Sequence, residues 1–96
     1  MDLDLLLKFQ DEVFAECRKV MAERAKDYAS PSDALINFKR AASVIDSDAK
    51  EVCLTHLASK LARLRSVSDP WDTCLDIINY AIIYLALTGE KEEGGK

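Results

Sequence analysis

Asp72, Asp76 and Asn79 stand four and three residues apart in the last apolar stretch of the chain, so a helix there carries all three on one face. The surrounding run, Cys74 to Leu87, is apolar almost all the way round, which marks a helix covered on most sides. A carboxylate in that setting is costly unless it is paired or hydrogen-bonded. Oxygen donors at this spacing can converge on one magnesium ion, which commonly arrives with phosphate, and Asp72 and Asp76 are the candidate ligands. The plainer use is structural: Asp72 in a first turn suits the helix dipole, and Asp76 pairs with a base. The candidate bases are Lys60 and Arg63 on the preceding segment, which an antiparallel packing brings beside Asp76 and Asp72. As a structural pair they lock the register of two helices. As a binding pair they hold phosphate or carboxylate, Arg63 in a bidentate fork.

A second polar group comprises Lys26, Asp27 and Tyr28, then Asn37, Lys39 and Arg40. Tyr28 and Tyr80 offer faces on which a base could stack, or bulk to close the core. His56 shares a stripe with Lys60 and Arg63 and has no nucleophile or carboxylate partner in sequence. No Ser-His-Asp order, phosphate-binding glycine loop or GxGxxG pattern is present, so nothing commits the chain to catalysis.

The elements that must position these residues are helical. Apolar residues at Leu3, Leu6, Leu7, Val13, Phe14, Cys17, Val20, Met21 and Ala25 follow three-four spacing and predict a first helix over Leu3 to Tyr28. A helix that long extends beyond a small domain and suits packing on a second copy. Ser30 as N-cap, Pro31 at the first position and Asp33 as the capping-box acid predict a second helix from Pro31 to Val44, with Leu35, Phe38, Ala42 and Ile45 inward. Asp48 followed by Glu51 caps a third, from Ala49 to Arg65, whose apolar stripe is Leu54, Leu57, Leu61 and Leu64. Asp69 and Pro70 start a fourth, which Thr88-Gly89 ends near Leu87. Four helices with short connections predict an all-α, compact four-helix domain over residues 1–89, with a flexible tail over 90–96. The fourth helix is too apolar for the outside of a monomer, so a homo-oligomer is expected.

Composition bounds the rest. Hydrophobic residues at 49% exclude a disordered chain. The net charge of −4 argues against general nucleic-acid binding, which needs a basic surface. The apolar run is far short of a membrane span, and Asp2 and Asp4 stand where a secretory leader would be basic. Cys17, Cys53 and Cys74 are scattered and odd in number, as buried thiols in a cytoplasm are; with one histidine and no CxxC they do not make a zinc site.

Four blocks carry a resemblance. They are Lys26-Asp27-Tyr28, Ala34 to Ala42 with Asn37-Phe38-Lys39-Arg40, Lys60-Leu61-Ala62-Arg63-Leu64, and Asp72 to Ala81 with Asp76 and Asn79-Tyr80-Ala81. In this order they resemble the nucleotide-modification-associated domain 1 family of small phage and bacterial proteins. The resemblance covers Lys26 to Leu87 and implies a polar signature on Lys26, Asp27, Tyr28, Asn37, Lys60, Arg63, Asp72, Asp76, Asn79 and Tyr80. The architecture is also similar to the all-α nucleoside triphosphate pyrophosphohydrolases of the MazG-like group. Their paired Glu-x-x-Glu set for magnesium is missing here, since Glu12 and Glu16 are four apart and Glu51 lacks a partner.

The expectation is a phage-type cytoplasmic protein, in the host cytoplasm if phage-encoded. It binds a nucleotide or nucleotide-like phosphate through Lys26, Tyr28, Asn37, Arg40, Lys60, Arg63, Asp76, Asn79 and Tyr80. It would serve nucleotide metabolism or modification, or sequester a host signalling nucleotide. Two alternatives stand beside it. One is a module that docks a host or phage protein through the first helix. The other is a magnesium-dependent nucleoside phosphate hydrolase using Asp72 and Asp76.

Overall fold

The computed structural model describes residues 1–28 and 33–94, without the side chains of Tyr28 and residues 90–94. Four helices follow one another: α1 (Leu3–Tyr28), α2 (Ile36–Val44), α3 (Ala49–Leu64) and α4 (Trp71–Gly94). No strand occurs among the described residues, and no helix there is long and apolar enough to cross a membrane.

α1 and α4 run in the same direction. Phe9 lies beside Trp71, ring centroids 6.2 Å apart, and eight residues further along each helix Asn79 bonds the Cys17 carbonyl. α3 runs against α4: Lys60 reaches Asp76, while the earlier Cys53 donates its thiol hydrogen to the later Tyr80 carbonyl at 3.3 Å. α4 is therefore the shared element, with α1 on one side and α3 on the other, and α2 closes against α3.

The caps show where local sequence decides. Asp48 accepts the Glu51 backbone N–H at 2.9 Å and starts α3 as its spacing predicts. α2 begins at Ile36, five residues after the expected start at Pro31. Asp33 is the reason: its carboxylate accepts the Leu35 N–H at 2.9 Å and the Lys39 ammonium at 2.7 Å, an Asx-type turn that competes with an earlier helix. The expected cap Ser30 and first-turn Pro31 lie outside the described residues. The Lys39 hydrogen bond, then that of Leu35, hold the Asp33 carboxyl below its ordinary value, so this turn is present above that value and is lost as the medium is acidified through the lowered one.

α2 ends in a Schellman motif. Asp46 takes φ 52°, its N–H reaches Ser43 O, and the Ser47 N–H bonds Ala42 O at 2.9 Å. An aspartate occupies a position that usually favours glycine, as short polar side chains can.

Three expectations need correction. α4 does not end at Thr88-Gly89 but continues to Gly94. The Thr88 hydroxyl donates to Tyr84 O four residues back, and Gly89 has no positive φ to break the helix. Ile45, placed inward, is exposed, because the turn at Asp46 carries it off the α2 face. On α3, Leu54 and Leu61 are exposed, and the covered face runs through Val52, Cys53, Leu57, Lys60 and Leu64. Lys60 thus stands on the inward stripe and not on a separate polar one.

Among the described residues the buried apolar core is small: Cys17, Ala42, Val52, Cys53, Leu75 and Leu87. Two of its members are thiols, and burial raises the pKa of both Cys17 and Cys53, whereas Cys74 is exposed. In the native protein one thiol is expected to react quickly with a disulfide reagent near neutral pH and two slowly; the full three appear on adding denaturant. Three equally fast thiols would show that the α1/α4 and α3/α4 seams open readily.

Candidate functional site

Asp76 is the most deeply placed charge among the described residues, its side chain 7% exposed. Its two oxygens are each taken by a cation from a different helix. Arg24 Nη1 of α1 lies 2.9 Å from Oδ1, and Lys60 Nζ of α3 lies 3.0 Å from Oδ2. One carboxylate on α4 thereby clasps both neighbouring helices. A magnesium ion at Asp76 would have to displace one of these cations. Asp72, one turn earlier, is exposed, and no three metal-ligating side chains converge among the described residues.

Arg24, not Arg63, is the second base. Arg63 is exposed on α3, three residues past Lys60 and so rotated roughly 60° away at 100° per residue. The signal for Arg24 is present in α1, where Cys17, Val20 and Arg24 continue one three-four stripe facing α4.

One turn beyond Asp76, Asn79 is buried, 8% exposed. Its Nδ2 donates to the Cys17 carbonyl at 2.9 Å. That carbonyl fixes which end of the amide is nitrogen, since a flipped amide would set oxygen against oxygen. Asn79 Oδ1 is therefore a defined acceptor, and it has no hydrogen-bond partner among the described residues. An unsatisfied buried acceptor costs about 1–3 kcal/mol and calls for an explanation.

Both residues line a cavity of about 630 Å³ walled by all four helices. Beside the Arg24–Asp76–Lys60 clasp stands an aromatic wall. His56 and Tyr80 are stacked with ring centroids 5.5 Å apart and planes 5° apart, and Phe38 meets both edge-on. Asn37, Met21 and Ile83 complete the rim. The charged groups lining the space are Arg24, Lys60 and Asp76, two cations to one anion, so the cavity carries a positive excess inside an acidic protein. Arg24 remains 53% exposed in its side chain and engages Asp76 through Nη1, so its guanidinium has further N–H donors for an incoming group while the pair stays intact.

Of the residues singled out by sequence, the fold brings Asn37, Lys60, Asp76, Asn79 and Tyr80 to this cavity. It leaves three elsewhere: Lys26 pairs with Glu23 at 3.2 Å on the outside of α1, and Arg40 and Arg63 are exposed and do not line the space. The Tyr28 side chain lies outside what is described. Phe38 and His56 join the cavity unannounced. Their signal is positional: Phe38 follows Asn37 on α2, and His56 precedes Lys60 by one turn on α3.

Fold and cavity together define a small four-helix protein with a cationic, aromatic-walled pocket clasped around one carboxylate. No family model matches the chain, and no curated protein or solved structure matches it.

Proposed function

We propose that this cavity binds a small anion of the nucleotide class. The observation that carries the reading is the meeting of two cations, Arg24 and Lys60, with the stacked His56–Tyr80 wall in one cavity, beside an Asn79 whose buried Oδ1 has no partner among the described residues. Each feature asks for a different complement. An open acceptor asks for an N–H donor, a stacked aromatic wall for a flat face, and a cationic excess for an anion. A nucleoside phosphate supplies all three, and inorganic phosphate supplies only the last. The resemblance to the nucleotide-modification-associated family implies the same ligand class and a role in nucleotide metabolism, modification or sequestration. Binding, and not turnover, is what the arrangement supports, because both oxygens of Asp76, the one buried carboxylate among the described residues, pair with cations.

Calorimetry against nucleoside monophosphates, triphosphates and cyclic nucleotides, with inorganic phosphate as the control, tests the reading. Heat is expected with at least one nucleotide at a Kd below about a millimolar, and phosphate alone is expected to bind far more weakly. Equal affinity for phosphate and nucleotides, or no heat with any nucleotide, would overturn it.

A further inference from the structure

The first half of α1 has more apolar surface than this fold uses. Leu3, Leu5, Leu6, Leu7, Phe9 and Phe14 are all exposed, Leu3 to 66%. The cause is register. Phe9 lies beside Trp71, the first residue of α4, so the six residues before Phe9 run about 9 Å ahead of the helix that covers the rest of α1. Leu3, Leu7 and Phe14 lie close to the same angular face as Met21 and Ala25, which line the cavity further along. The apolar stripe continues where its cover stops.

The chain as a whole exposes 7195 Å², against about 5,500 Å² expected of a folded monomer of this mass, and the exposed apolar residues of α1 are part of that excess. A standard interface takes about 800 Å² from each partner.

Charge selects which partner. From residue 1 to 16, α1 and its lead-in carry Asp2, Asp4, Asp11, Glu12 and Glu16 against Lys8; from 17 to 28 it carries Arg18, Lys19, Arg24 and Lys26 against Glu23 and Asp27. An acidic apolar arm repels lipid headgroups and nucleic acid, both anionic. Laid antiparallel with Leu7 of each copy opposite Phe14 of the other, two α1 helices bring Asp4 of each copy beside Arg18 of the other, a pair that the two-fold axis repeats. A parallel pair forms no such contact and sets every acid beside its own copy.

We propose that a second copy of this chain covers the first half of α1, the two α1 helices packing antiparallel about a two-fold axis. In one such register Leu7 of each copy faces Phe14 of the other and Asp4 stands near Arg18. The surface is separate from the cavity, and nucleotide binding does not enter its test.

The test is light scattering during gel filtration on the full chain at about 100 μM, with circular dichroism as the fold control. A dimer is expected for the wild type, and Leu7→Glu is expected to raise its dissociation constant at least about tenfold with helicity kept. Two charge-reversed chains hold the orientation to account should Leu7→Glu fail to fold. Arg18→Glu/Lys19→Glu and Asp4→Lys/Asp11→Lys are each expected to be weaker dimers alone, and to pair with each other on mixing. A monomeric wild type overturns the proposal, as does a dimer that Leu7→Glu leaves intact while folded. Charge-reversed chains that self-associate as well as the wild type overturn the antiparallel arrangement.

Discussion

Asp76→Leu is expected to lower the unfolding free energy by on the order of 3 kcal/mol. The reasoning follows the exposure of the two bases. The Lys60 side chain is 20% exposed and faces the inward stripe of α3, so without Asp76 its ammonium is left poorly hydrated and unpaired. Arg24 is 53% exposed and can return to water, so Arg24→Ala is expected to cost under about 1 kcal/mol, as surface pairs do. Small domains hold only about 5–15 kcal/mol in total, and this one has a core of six buried apolar side chains among the described residues, two of them thiols. A loss of 3 kcal/mol in a domain of this length moves Tm by roughly 12–20 °C. Removing the second charge reverses the effect: Asp76→Leu with Lys60→Met is expected to recover most of the stability, since the pair's desolvation cost leaves with it. Urea unfolding of the wild type and these three variants gives the order directly. An Asp76→Leu single variant as stable as the wild type would show that the clasp contributes nothing to holding α1 and α3 on α4.

The clasp also shows what could be read before the fold was known. The helical periodicity was strong enough to place α1 at both ends, and the Asp48–Glu51 cap placed the start of α3, because both are decided within a few residues of chain. The need for a cation at Asp76 followed from the cost of a buried carboxylate, and Lys60 met it. Arg24 was not distinguished from the outer charges of α1, because its role depends on which face of α1 meets α4, a long-range fact that spacing alone does not state. The same limit explains Leu54 and Leu61. Both are leucines at helical spacing, yet the face that packs is chosen by α4, and it takes Cys53, Leu57 and Lys60 instead. The starts and ends that differed, at Ile36 and Gly94, are places where two local signals compete: Asp33 as a turn former against Asp33 as a capping acid, and Gly89 as a stop against the helix formers that follow it. The cavity was legible only in part, through Asn37, Lys60, Asp76, Asn79 and Tyr80. Its aromatic wall is assembled from three helices, and no single segment announces it.

Asn79→Leu separates the two uses of this interior. Asn79 donates one hydrogen bond, to the Cys17 carbonyl, and its buried Oδ1 has no partner among the described residues. A leucine of similar volume gives up that bond, worth about 1 kcal/mol, and removes an acceptor whose burial without a partner costs about 1–3 kcal/mol. The Cys17 carbonyl stays within α1 and keeps its place in the helical ladder. Stability is therefore expected to hold or to rise by up to about 1 kcal/mol, the opposite of what replacing a buried, fully bonded asparagine does. Nucleotide affinity is expected to fall by roughly 10- to 100-fold, because a donor on the ligand then faces a methyl group and is left unpaired. Weak binding of inorganic phosphate, which needs only Arg24 and Lys60, is expected to be unchanged. The result is a folded, equally or more stable protein that has lost its ligand, next to an Asp76→Leu protein that has lost stability. An Asn79→Leu variant that is clearly destabilised and still binds nucleotide would mean that Oδ1 serves packing in the native state and that the ligand, if any, is held from elsewhere in the cavity. A protein that retains an energetically costly open acceptor in a small core does so against the direction of stability. Ligand binding supplies the compensating use, and these two measurements on one variant decide whether that use is real.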